Sequence, residues 1–270
     1  MDNILLNKSN QITESLRTTF RKKIWKKFIK AIIDFDLIKD GDKIAVAVSG
    51  GKDSLLLAKL FQELKKDKSK NFELIFISMN PGFKNEDLNK FKENIQTLGI
   101  DCQVFHANVW EIAFEASPEN PCFLCSKMRR GILYNKIEEL GFTKLALGHH
   151  LDDLIETSLI NIFYAGTIKT MIPKVLSTSK SLEIIRPLSY IYEKDIISFM
   201  TSNDLEGMSC GCPVESKELD SKRKEIKILL TTLEKTNPHI KQSILSSLKN
   251  VNLDYILGYT RGNKKDISKN

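Results

Sequence analysis

The run Ser49-Gly-Gly-Lys-Asp-Ser54 follows the apolar stretch Ile44-Ala-Val-Ala-Val48 without a gap and leads into the amphipathic segment Leu55–Leu64. A Val/Ile-rich run of this kind reads as a buried parallel strand. A strand, a glycine turn and a helix start gather backbone N–H groups and the positive end of a helix dipole at one point. That point attracts phosphate. Gly50 and Gly51 let backbone approach an anion with no Cβ in the way, and Lys52 adds a point charge. The glycine spacing is neither G-x-x-x-x-G-K-S/T nor G-x-G-x-x-G.

Two further constellations could do chemistry. Gly148-His-His-Leu-Asp-Asp153 follows the strand-like Lys144–Leu147, and its adjacent carboxylates suit Mg²⁺, which takes oxygen ligands and bridges them to phosphate. Asp152 and Asp153 would equally stabilise the first turn of a helix with no chemistry at all. His149 and His150 read as structural groups or substrate contacts. The thiols form the other constellation. Cys122-Phe-Leu-Cys125 lies at a loop-to-helix junction, where a helix start favours thiolate. Cys210-Gly-Cys212-Pro213 supplies more donors far along the chain. Four thiolates would close a structural zinc site. Three would hold an iron–sulfur cluster with one iron open, and the spacing does not separate the two. Cys102, inside a strand-like run, reads as a small buried hydrophobe.

These residues need a scaffold. Strand-like runs at Lys43–Val48, Glu73–Ser78, Cys102–His106 and Lys144–Leu147 alternate with helical patterns near 54–67, 85–98 and 123–140. Alternation of this kind predicts an α/β fold with a doubly wound, mostly parallel sheet and ligands beyond the carboxyl ends of its strands. Ser78 and Met79, ending the second strand, are expected beside a bound nucleotide. After residue 151 the pattern turns mostly helical, with Leu182–Leu188 extended. At the start of the chain Leu16, Phe20, Ile24, Phe28 and Ile32 recur every four residues among Arg17, Arg21, Lys22, Lys23, Lys26, Lys27 and Lys30. This predicts an amphipathic helix with a basic outer face for a polyanionic partner, RNA before a membrane surface. A net charge of +7 agrees with that partner. The expected division is 1–40 for the basic helix, 41–205 for the nucleotide domain and 206–270 for a helical extension, with Arg261–Lys269 as an unstructured basic tail. The absence of a leader pattern and of a membrane-length apolar run predicts a cytoplasmic protein.

The string S-G-G-K-D-S resembles the signature of the PP-loop ATP pyrophosphatases, which split ATP to AMP and pyrophosphate while adenylating a substrate carbonyl. Together with P-C-x-x-C at 121–125, L-G-H-x-x-D-D-x-x-E-T at 147–157, Asn161-Ile-Phe-Tyr164, Met171-Ile-Pro-Lys174, Ile185-Arg-Pro-Leu188, Cys212-Pro and Lys222-Arg223, the chain resembles the tRNA 2-thiocytidine biosynthesis family. The resemblance implies an adenine nucleotide alpha hydrolase-like fold, ATP with Mg²⁺, and a tRNA substrate thiolated at an anticodon-loop cytidine, position 32. It also implies a [4Fe-4S] cluster on three cysteines. Cys122 and Cys125 carry over as ligands; the third is Cys210 or Cys212, with the Cys-Pro pairing favouring Cys212. In this reading Ser49, Gly50, Gly51, Lys52, Asp53 and Ser54 grip the phosphates, with Gly148 alongside. Asp53 and Asp153, with or without Asp152, hold Mg²⁺, and Lys52, Arg129 and Arg130 stabilise developing negative charge. A sulfur donor (a cysteine desulfurase or sulfide) and a homodimer are further implications, and no membrane partner is expected. Lysidine synthase, a related cytidine-modifying ATPase, has no use for clustered thiols. A non-catalytic zinc-containing nucleotide- and RNA-binding protein is the reading from a different class.

Overall fold

The computed structural model describes residues 2–67, 70–82, 85–119, 121–177, 181–208, 217–261 and 264–267. The N-terminal basic segment forms α1 (Asp2–Arg17), a π-helical turn over Arg21–Trp25 and α2 (Lys26–Asp34), not one uninterrupted helix. The extra residue per turn appears as Phe20 N–H donating to the Ser15 carbonyl. It keeps Leu16, Phe20, Ile24, Phe28 and Ile32 all buried, so the expected stripe survives the break. Arg21, Lys22, Lys23, Lys26 and Lys30 stay exposed.

The first sheet grows from β1 (Lys43–Ala47), α3 (Lys52–Lys65), β2 (Glu73–Asn80), α4 (Asn85–Leu98) and β3 (Cys102–His106). It continues through α5 (Val109–Ala116), α6 (Pro121–Glu139), β4 (Lys144–Ala146), α7 (Leu151–Ala165), β5 (Lys174–Leu176), β6 (Glu183–Ile185) and α8 (Glu193–Ser202). Strand order is β3-β2-β1-β4-β6-β5, parallel throughout except for β5 against β6. Helices cover both faces. Ile44 and Val46 point into a core shared with Leu16, Phe28, Leu56 and Phe61, while Ala45 faces Ile77, Ile137 and Leu145. The direction in which successive strands are added reverses between β1 and β4, the switch point at which open α/β sheets bind ligands.

α5 and β5 were not expected from the sequence. The tail expectation is corrected: β7 (Gly258–Arg261) and β8 (Lys264–Ile267) form an antiparallel pair after α9 (Lys217–Thr236) and α10 (Ile240–Ser247). A four-residue strand rich in Lys needs its partner to form, so it reads as coil on its own.

The chain divides into two compact units. Residues 1–154 with 172–220 make one, and 155–171 with 221–270 the other. The first holds the six-stranded sheet, and α1 and α2 share its core. In the second, buried Glu156 is met by Arg223 at 3.0 Å and Lys227 at 3.8 Å, and Tyr164 donates to Glu225. No helix among the described residues is long and apolar enough to cross a membrane.

Candidate phosphate-loop site

Residues 48–51 turn sharply out of β1 into α3. The Ser49 amide and hydroxyl both reach Ser54 Oγ at 3.1 Å, and the Ser54 hydroxyl donates to the Gly51 carbonyl at 2.9 Å. This ties the loop shut at the start of α3. Gly50 has φ +86°, open to glycine at little cost, and buried Ser54 is the hinge of the hydrogen bonding.

A second segment lies directly across the loop. Met208 N–H donates to the Gly50 carbonyl at 2.8 Å. A Cβ on Gly207 would stand 2.5 Å from the Lys52 nitrogen, so the two backbones touch only because that atom is missing. Glu206 secures the near side: its carbonyl accepts from Asn94 Nδ2 at 2.8 Å and its carboxylate pairs with Lys90. Residues 206–208 thus form a strap over the phosphate loop. Sequence reasoning missed it, and the only local signal was a glycine in an otherwise unremarkable loop.

The loop after β4 arrives from the other side of the switch point, with Gly148 against the Asp53 backbone. His150 precedes α7 as its cap. Its N–H donates to Asp153 Oδ2 at 3.0 Å, and Asp153 N–H reaches back to His150 Nδ1 at 3.4 Å, a reciprocal capping arrangement. Asp152 is buried and accepts from the Glu193 N–H at 2.6 Å, fixing the start of α8. Both aspartates therefore do the helix-end work that was the alternative to metal binding.

Carboxylates nevertheless converge here. His150 Nε2 lies 3.8 Å from Asp53, 3.6 Å from Asp153 and 4.0 Å from Glu193, and Nδ1 lies 3.9 Å from Asp152. Lys52 Nζ bridges Asp53 at 3.1 Å and Glu193 at 3.0 Å. Burial works against the Lys52 charge, but the two carboxylates outweigh it and hold its pKa above the ordinary lysine value. Asp53 fares worse. Burial raises its pKa despite His150 and Lys52, with the Asp153 charge adding to the effect, and among the described residues Asp53 Oδ1 is buried with no hydrogen-bond donor. An under-solvated carboxylate oxygen of this kind is where a cation would be stabilised. Glu193 was missed in the sequence, where it reads as an ordinary acid in a helix first turn.

Ser78 and Met79 lie near the carboxyl end of β2 and are buried, beside the loop that leaves β1. Cys125 is also buried there, in an apolar cluster with Met79, Val109 and Ala113. Arg129 and Arg130 follow on α6. Arg130 Nε donates to the Ser126 carbonyl of its own helix, and no described contact joins either guanidinium to the phosphate loop. Cys122 lies on α6 with its side chain outside the described residues, as do Cys210 and Cys212 entirely. Among the described residues no group of three or more His, Cys, Asp or Glu side chains, the cluster around His150 included, is arranged to hold a metal ion by itself. Cys102 has its thiol pushed up to about 12 by burial, consistent with an inert packing role.

Residues 16–208 match the PP-loop domain family. A curated relative from Citrifermentans bemidjiense named tRNA-cytidine(32) 2-sulfurtransferase is 39% identical over 236 residues, spanning 86% of this chain and 92% of its own. One of the same name from Aliivibrio fischeri is 34% identical over 268 residues, spanning 96% and 86%. Among solved structures, the U34-tRNA thiolase of Methanococcus maripaludis with its [4Fe-4S] cluster superposes with a TM-score of 0.69 at 28% identity, covering 88% of this chain and 81% of that one.

Proposed function

This chain belongs to the PP-loop family that includes the tRNA-cytidine(32) 2-sulfurtransferases, and from that premise we propose that it is an ATP-dependent tRNA sulfurtransferase that exchanges the C2 oxygen of an anticodon-loop cytidine for sulfur. The observation that carries this reading is the meeting of three segments at the switch point: the phosphate loop after β1, the acidic loop after β4, and the strap at 206–208. The strap runs on in sequence to Cys210 and Cys212, two and four residues past Met208. The packing of Cys125 against Met79, near the carboxyl end of β2, supports a thiol on the side of the sheet where the phosphate loop lies.

In this reading the carbonyl oxygen of the target cytidine attacks the α-phosphorus of ATP and pyrophosphate leaves. A sulfur nucleophile then adds at C2, and the oxygen departs with AMP. The Ser49–Ser54 loop orients the phosphates through its N–H groups, and Lys52 stabilises the charge gathering on pyrophosphate. The buried Asp53 Oδ1, without a hydrogen-bond donor among the described residues, fits Mg²⁺ together with Asp153. Arg129 and Arg130, which make no described contact with the loop, are assigned to negative charge on the substrate. Soft thiols are the donor set an iron–sulfur cluster takes, and Cys122 and Cys125 with Cys212 or Cys210 would hold it. Bound there, the cluster supplies an open iron position at which sulfur can be carried. The exposed Arg21, Lys22, Lys23 and Lys26 give tRNA a salt-sensitive landing face. The target base leaves its stack to reach the site, which a single-stranded loop makes inexpensive.

Anaerobic purification with iron and labile-sulfide analysis, paired with tRNA-dependent pyrophosphate release, tests the proposal. Iron, sulfide and tRNA-stimulated pyrophosphate are expected together. A colourless protein that releases pyrophosphate only with added lysine would instead be a lysidine-forming enzyme.

A further inference from the structure

Lys52 is the one ammonium among the described groups at the centre of this site, and it is already engaged. Asp53 and Glu193 hold it from two sides at 3.1 and 3.0 Å. Glu193 is itself held firmly: it opens α8, and its N–H is bound by buried Asp152 at 2.6 Å. Around Lys52 and His150 stand four carboxylates, those of Asp53, Asp152, Asp153 and Glu193. A triphosphate entering alone would add several negative charges to an acidic, half-buried site whose ammonium is neutralised by its neighbours. Such burial of unmatched charge is strongly disfavoured. The site also has a place for a compensating cation, the buried Asp53 Oδ1, which no donor among the described residues hydrogen-bonds and which has His150 Nε2 near it, at 3.8 Å.

We propose that Glu193 is a positioning residue that withholds Lys52 from the phosphates until a divalent cation enters beside Asp53, so that the site takes the magnesium complex of ATP and rejects the free nucleotide. This rests on the ATP-dependent reading above. A cation at Asp53 relieves the carboxylates of their need for Lys52 and makes its ammonium available to phosphate. Glu193 therefore acts through Lys52 and touches neither the α-phosphorus nor the target base.

The test is equilibrium binding by calorimetry to the full-length protein, with ATP plus Mg²⁺ and with ATP plus EDTA. The unsubstituted protein is expected to bind free ATP at least about tenfold more weakly than the magnesium complex, and Glu193→Gln to strengthen free-ATP binding roughly fivefold, a change on the scale of one partly exposed ion pair. Glu193→Asp should restore the discrimination. In a Lys52→Met background the same Glu193→Gln change should alter free-ATP affinity by less than about twofold, because there is no ammonium to release. An equal gain in both backgrounds would mean simple removal of a charge and would overturn the proposal, as would no gain in either. Thermal melts check folding, and Glu193→Ser, suited to a helix first turn, replaces glutamine if that variant is unstable. A protein that binds neither form of ATP would instead refute the functional reading itself.

Discussion

Gly207→Ala probes the strap. The added methyl would lie 2.5 Å from the Lys52 nitrogen, with the Lys52 Cα at 3.0 Å and the Gly51 carbonyl carbon at 3.2 Å. Comfortable contact needs about 3.5 Å, and all three obstacles are backbone, so no side-chain rotation relieves them. The strap must retreat by roughly 1 Å, which breaks the 2.8 Å hydrogen bond from Met208 to Gly50. Overpacking costs about 1–3 kcal/mol and the lost hydrogen bond about 1 kcal/mol. Local detachment of residues 206–208 caps the total near the lower end, about 2 kcal/mol, and transfers the damage to function. Urea unfolding should register that loss. ATP affinity should fall about tenfold as the loop loses its cover, and iron per chain should fall with it. Gly131→Ala is the control: nothing lies within 4 Å of a Cβ there and the residue is inside α6, so about 0.5–1 kcal/mol of stabilisation is expected. A Gly207→Ala protein with native stability, ATP affinity and iron content would refute the assignment of the strap.

Lys59 is fully buried between Ser9, Gln62 and Glu63, and burial lowers its pKa to about 8. The unfolded chain then holds the extra proton between about pH 8 and 10.5, so stability should rise with pH through that window at up to about 1.4 kcal/mol per unit. Below it the penalty is complete, and the difference between native and Lys59→Met unfolding curves isolates the slope. Asp53→Asn removes a carboxylate whose ionisation burial opposes; it should melt about 2–4 °C higher at pH 7 while abolishing ATP turnover, the opposite of what a purely structural acid would do. Cys102, its thiol raised to about 12, should resist iodoacetamide at pH 8 in the native protein and react once unfolded, as read by peptide mass spectrometry.

Much of the scaffold was legible because its signals are local. Cys102–His106 and Asn85–Leu98 appear with the bounds their patterns give, and β1 and β2 differ from theirs only at the carboxyl end. Unbroken Val/Ile runs and a clear helical period leave few alternatives. β5 and β7–β8 were not legible, since each is three or four residues long and exists only by pairing. The same divide runs through the site. Ser49–Ser54 announces itself by spelling. Glu193 and Gly207 do not, because their roles are created by contacts with Lys52 across 141 and 155 residues of chain (193 − 52 and 207 − 52). The double duty of Asp152 and Asp153, as helix caps and as members of the acidic cluster, was likewise visible only as two competing readings until both sets of contacts were present together.

Nucleoside mass spectrometry on unmodified tRNA incubated with the anaerobically purified protein, ATP, Mg²⁺ and sulfide tests the central claim most directly. The expected result is 2-thiocytidine at a single anticodon-loop position, with AMP formed in equal amount and neither product without ATP. Consumption of ATP with no sulfur entering the tRNA, or sulfur entering at uridine in place of cytidine, would contradict it.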